Sequence, residues 1–188
     1  MDVQLIKMTK NIDLKAYNYL ETPSNNTLSP EEIEKHTRDL VQDYINNDFG
    51  TVLVPNSLVS LAKEMIDVWQ SNVDIATIIG YKLGELPVNT KIELAQTAIS
   101  DGAQLLVFVF DHSALAGGKI DLTKKEYIKC TQVAMKSEKK VVWLYNHELI
   151  SEEKSKVLFN LILDLNNENF EENLISKIEI KSISEYLV

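Results

Sequence analysis

Short apolar runs punctuate the chain at residues 51–54, 73–79, 105–110 and 141–145, and after each the apolar positions recur every three or four residues. An apolar run of strand length followed by a helical period predicts parallel β/α units. Ser29-Pro30-Glu31-Glu32 opens the first convincing helix with a cap, a first-turn proline and early acidic charge. Ile33, Thr37, Leu40, Val41, Tyr44 and Ile45 continue it, and Asn46-Asn47-Asp48-Phe49-Gly50 turns the chain into the run at 51–54. Leu58, Leu61, Ala62, Met65, Ile66 and Trp69 mark a second helix, with Trp69 and Trp143 expected in the core.

Residues 89–101 predict a third helix stopped by Gly102, and a loop over 111–121 leads into a fourth from about 123 to 136. Ser151-Glu152-Glu153 starts another, whose buried face is Val157, Leu158, Leu161, Ile162 and Leu165. Residues 166–173 then read as a polar connection and 176–183 as the last strand. One more strand is expected before Ser29, at residues 3–8 or 15–20, with the second preferred. The total is about six strands. A complete eight-stranded barrel usually needs at least ~200 residues. The 188 residues therefore predict one domain, residues 1–188, holding either an abbreviated barrel or an open sheet.

Composition narrows the partners. With 45% hydrophobic residues the chain can bury one sizeable core, and its formal charge of −9 disfavours nucleic acid and anionic membrane surfaces. No apolar stretch is long enough to span a membrane, and residues 1–10 lack the apolar core of a secretion signal, so a cytoplasmic protein is expected. The single cysteine, Cys130, has no partner within the chain and reads as an ordinary buried thiol.

Candidate chemistry lies just after the apolar runs, where parallel β/α folds gather their functional side chains. Asp111-His112 follows one run and His147-Glu148 the next. Two imidazoles and two carboxylates could hold a divalent metal or share a proton, although paired polar residues are also ordinary in solvated loops. Lys82, between Gly80 and Gly84, could meet an anion, and Asn56 could hydrogen-bond a ligand, while Pro55-Asn56-Ser57 reads first as a turn and cap. His36 falls in a charged helix and reads as exposed or structural. Gly117-Gly118 lacks the spacing of a dinucleotide fingerprint, so no cofactor is expected.

The middle of the chain resembles a known family. Phe49-Gly50-Thr51-Val52-Leu53-Val54-Pro55-Asn56-Ser57 and Ile75-Ala76-Thr77-Ile78-Ile79-Gly80-Tyr81-Lys82-Leu83-Gly84 are similar to the second and third strands of deoxyribose-phosphate aldolases. Lys91-Ile92-Glu93, Ala98-Ile99, Gly102-Ala103 and Ala114-Leu115 with Gly117-Gly118 follow in the family's order, so the similarity spans about residues 17–151. It implies an abbreviated TIM barrel and class I aldolase chemistry, in which a lysine forms a Schiff base with an aldehyde while a carboxylate and a second lysine move protons.

Residue by residue, the resemblance implies an altered site. The family's fourth-strand aspartate is replaced by Val107, and its first-strand aspartate would fall near Ala16 or Tyr17, so neither carboxylate is retained. The Schiff-base lysine, set in an apolar-Lys-Thr-Ser context, is matched only by Lys181 in Ile178-Glu179-Ile180-Lys181-Ser182. Read without the resemblance, Lys181 is a solvated lysine on an edge strand. The chain stops at Val188, ahead of the seventh and eighth strands that carry the family's second lysine and phosphate loops. Two expectations follow: a divergent relative whose aldolase chemistry is lost or altered, kept for binding or assembly, which the missing carboxylates favour, or, as the alternative, a Schiff-base lyase acting on a small aldehyde or sugar phosphate through Lys181. An open parallel sheet must cover its edges and inner face, which favours a homodimer in either case.

Overall fold

The computed structural model describes residues 29–81 and 83–183. Helix α1 (Pro30–Asn46) begins with the expected capping box, in which Ser29 Oγ accepts from the Glu32 N–H while Glu32 accepts from the Ser29 N–H. The chain then alternates strictly. Strand β1 (Thr51–Val54) leads through a 3-10 turn (Asn56–Leu58) to α2 (Val59–Val68), and β2 (Asp74–Ile79) leads to α3 (Val88–Asp101). Strand β3 (Leu105–Val109) is followed by the short α4 (His112–Ala116) and by α5 (Ile120–Lys136). Strand β4 (Lys140–Tyr145), α6 (Glu152–Asn169), α7 (Glu172–Ile175) and β5 (Ile178–Ser182) complete the order.

All neighbouring strands are parallel, in the order β1-β2-β3-β4-β5, and β1 and β5 are not paired with each other. The described fold is an open, barrel-like arrangement of five parallel strands. The strand expected at 3–8 or 15–20 lies outside the described residues, as do Ala16 and Tyr17. No helix among the described residues is long and apolar enough to cross a membrane.

Alternation along the strands separates two faces. Val52, Val54, Ile75, Ile79, Leu106, Phe108, Phe110, Val141, Trp143 and Tyr145 face the helices. Leu53, Ala76, Ile78, Leu105, Val107, Val109, Val142 and Leu144 face the other way, toward what would be the interior of a barrel. On the helix side Trp143 is fully buried, stacks on Phe108 with ring centroids 4.9 Å apart, and donates its indole N–H to Thr131 Oγ1 at 3.0 Å. Cys130 is buried as expected, and burial followed by nearby Glu126 pushes its thiol up to about 12.

Three expectations are corrected. Trp69 is 59% exposed, because α2 ends at Val68 and the chain turns away through Gln70 at φ 50° before the stripe Val59, Ala62, Ile66 can be extended. The loop expected over 111–121 contains α4, capped by Asp111, and α5 starts at Ile120 rather than near 123. The polar connection expected from 166 is helix through Asn169: Leu165 and Asn166 are buried, and Asn166 Oδ1 accepts the Tyr127 hydroxyl at 2.6 Å. Asn166 reads as loop-like because its internal partner lies 39 residues away.

Candidate functional site

Because the sheet is parallel, the C-terminal ends of all five strands open on one rim. Its framework is a buried ion pair that composition alone does not reveal. Lys91, in the first turn of α3, and Glu126, on α5, are 0% and 2% exposed and in direct contact. The Lys91 ammonium also donates to the Val109 carbonyl at 2.6 Å, and Glu126 Oε2 accepts the Asp111 N–H at 3.3 Å. Two helices are thereby fastened to the exit of β3. A buried pair of charges is tolerated only when hydrogen bonds satisfy the remaining valences, and these contacts do so. Burial raises the Glu126 carboxyl above its usual range, opposed by Lys91.

The exit of β2 is folded tightly onto the same point. Gly84, at φ 71°, donates to the Gly80 carbonyl at 2.7 Å, and a Cβ on it would lie 2.0 Å from the Phe110 carbonyl oxygen. Only glycine fits there. The approach brings Leu83 beside β3, where its carbonyl accepts the His112 N–H at 3.0 Å.

His112 is 3% exposed, so it is a packed residue and not part of a solvated loop. Its Nε2 accepts the Asn146 N–H at 2.7 Å, which makes the residue a clasp joining the exits of β2, β3 and β4. Burial, then the Lys91 ammonium, lowers its imidazole below the usual 6.5. With Nε2 accepting, the proton of the neutral ring sits on Nδ1, which is buried without a hydrogen-bond partner among the described residues. Asp111 turns inward as a cap, its carboxylate accepting the Ala114 N–H at 2.8 Å.

The other sequence candidates disperse around the rim. His147 is exposed and its Nδ1 lies 2.9 Å from Ser182 Oγ, while Glu148 is exposed with its N–H bonded to the Asn146 side chain. The pairs Asp111-His112 and His147-Glu148 do not form a ligand set: among the described residues no group of three or more His, Cys, Asp or Glu is placed to hold a metal ion. Asn56 is half-buried, with its amide donating to the Leu94 carbonyl at 3.3 Å, toward the helix layer. Lys82 lies outside the described residues. His36 is exposed.

Lys181 stands on β5, and the register fixes its side of the sheet. Leu144 is its partner on β4, Val142 is the partner of Glu179, and both face the barrel side. Glu179 and Lys181, two residues apart, therefore project from that same side, whereas Ile178 and Ile180 pack toward the helices. Lys181 Nζ lies 2.8 Å from Glu179 Oε2, and the side chains are 35% and 16% exposed. The layer formed by Ile78, Val107, Val142 and Glu179 contains one carboxylate, that of Glu179.

No family model matches the chain. The curated deoxyribose-phosphate aldolase of Thermococcus gammatolerans is 32% identical over 130 residues, covering 69% of this chain and 58% of that protein. That of Clostridium botulinum (strain Loch Maree / Type A3) is 30% identical over 129 residues, covering 69% and 59%. The chain resembles the deoxyribose-phosphate aldolase family. It spans less than two thirds of the length of these relatives. Among solved structures, the aldolase QR15 superposes with a TM-score of 0.65 at 23% identity, over 73% of this chain and 59% of that one. The deoxyribose phosphate aldolase of Aeropyrum pernix, described as tetrameric, gives 0.64 at 19% identity over 84% and 61%. At these identities the likeness establishes the fold, an abbreviated form of the aldolase barrel.

Sequence reasoning missed the Lys91–Glu126 pair and the neighbour of Lys181. Both had a signal. Lys91 shares the stripe of Ala95 and Ala98, and Glu126 that of Cys130, so each charge sits where its helix is otherwise apolar. Glu179 and Lys181 share strand parity, and that alone places them side by side.

Proposed function

We propose that this chain is a divergent deoxyribose-phosphate aldolase-like protein with altered carbonyl chemistry, in which Lys181 forms a Schiff base with a small aldehyde or sugar phosphate. The observation that carries the reading is the ion pair on β5: an amine on the barrel-facing side of the last described strand, 2.8 Å from a carboxylate. Schiff-base chemistry requires an amine that can give up its proton before it attacks a carbonyl carbon. Around it, Val107 supplies no titratable group, so the usual family carboxylate has no counterpart on β3. No cofactor enters this chemistry.

A second reading, a silent relative kept for binding or assembly, draws its support from the same apolar layer, in which Val107 is 2% exposed. An assembly of copies, a homodimer in the simplest case, is part of either reading. It is supported by Phe159 and Leu163, one turn apart on α6 and 40% and 60% exposed. A cytoplasmic setting and the absence of nucleic-acid and membrane partners complete the proposal, in keeping with the charge of −9.

The test is intact mass after incubation with acetaldehyde or deoxyribose 5-phosphate and borohydride, with Lys181→Ala as control. A single adduct lost in the variant supports the Schiff-base reading. No specific adduct removes it in favour of the silent relative.

A further inference from the structure

From the geometry of β5 we infer that Glu179 is the proton-transfer residue of this site, the acid and base that works on the Lys181 amine; the inference rests on the Schiff-base reading above. Three observations converge on it. The carboxylate touches the reacting atom, with Oε2 2.8 Å from Lys181 Nζ. Its second oxygen, Oε1, is buried with no hydrogen-bond partner among the described residues, so acceptor capacity beside the amine is unused. Its layer neighbours Ile78, Val107 and Val142 are apolar and buried, and in the next layer Val109 and Leu144 flank Lys181. The other ion pair on this face, Asp74 with Lys140, sits at the opposite end of the strands. Among the described strand residues of the two layers beside Lys181, Ile78, Val107, Val109, Val142 and Leu144 are apolar, and Glu179 carries the one group that exchanges a proton.

A carboxylate kept only for structure would be expected to satisfy both oxygens, because a buried acceptor left unpaired has lost its water without replacement. Glu179 leaves one open beside an amine whose lone pair is engaged by a proton. The sequence of transfers balances without an added reagent. The Lys181 ammonium passes a proton to Glu179, and the freed nitrogen lone pair forms a bond to the aldehyde carbon. The aldehyde oxygen takes the proton that leaves the nitrogen and becomes the hydroxyl of a carbinolamine. The C–O bond then breaks as Glu179 returns its proton to that oxygen, water departs, and the protonated imine remains opposite a restored carboxylate. One ammonium and one aldehyde give one protonated imine and one water.

The experiment is the time course of borohydride-trapped adduct formed from acetaldehyde, read by intact mass, in the wild-type protein and in Glu179→Gln, Glu179→Asp and Glu179→Ala. Glutamine keeps the shape and removes the proton transfer, so trapping should slow by about a hundredfold. Aspartate should recover a large part of the rate. Added formate should accelerate Glu179→Ala and leave Glu179→Gln unchanged, a rescue that a purely structural carboxylate would not show. Adduct formation in Glu179→Gln at the wild-type rate overturns the inference and leaves the Schiff-base reading standing. A wild-type protein that forms no adduct overturns both.

Discussion

Lys181 and Glu179 project from the same face of β5 with Nζ and Oε2 2.8 Å apart. The register through Leu144 and Val142 turns both toward the barrel side of the sheet and away from the helices. An edge-strand lysine would otherwise be read as a solvated charge. Its direction, and a carboxylate within reach, make it a candidate nucleophile.

The buried pair beneath the rim should dominate the stability of the fold. Lys91→Met leaves the buried Glu126 carboxyl without its counter-charge and should cost about 3–5 kcal/mol. Coupling it with Glu126→Leu should recover most of that loss, since two apolar side chains then fill the space. Urea unfolding of the single and double variants measures both; a single variant within about 1 kcal/mol of wild type would be incompatible with a dry pair.

His112 predicts a pH dependence with a definite sign. The folded protein holds its imidazole neutral at a lowered value, while the unfolded chain takes up a proton near 6.5. Its stabilising contribution is therefore complete above 6.5 and lost as the pH falls from 6.5 through the folded value. His112→Gln preserves an acceptor for the Asn146 N–H and cannot titrate. Below 6.5 the wild-type unfolding free energy should drop more steeply than that of the variant; parallel curves would refute the assignment.

Gly84→Ala should loosen the rim. The new methyl group would meet the Phe110 carbonyl at 2.0 Å on a backbone at φ 71°. A cost of about 1–3 kcal/mol for the conformation alone is expected, and the clash adds to it. Hydrogen exchange at the His112 amide, which is bonded to Leu83, should quicken in the variant. Unchanged protection there would mean that the β2 exit is not held by this approach.

How far the sequence could be read follows from what each element depends on. The strands read at 51–54, 105–110 and 141–145 and the capped helix after Ser29 were legible, to within a residue at their ends, because apolar period and capping chemistry are local. Trp69 and Asn166 were misread because their fates depend on remote events, a turn at Gln70 and a hydroxyl on Tyr127. Lys181 was put forward as a candidate by resemblance. His112 was singled out as chemistry, and the structure shows a buried clasp across three strand ends, a role that depends on loops 34 residues apart. Glu179 was in view beside Lys181, but the role proposed for it required knowing that both face the barrel side of the sheet.

The central claim is that Lys181 is the amine of this site. Its most direct test is mapping of the reduced acetaldehyde adduct to individual lysines, with and without deoxyribose 5-phosphate as competitor. The account predicts one ethyl group on Lys181 at low reagent, diminished by the competitor. Modification spread over exposed lysines such as Lys136 and Lys156, with Lys181 untouched, would contradict it.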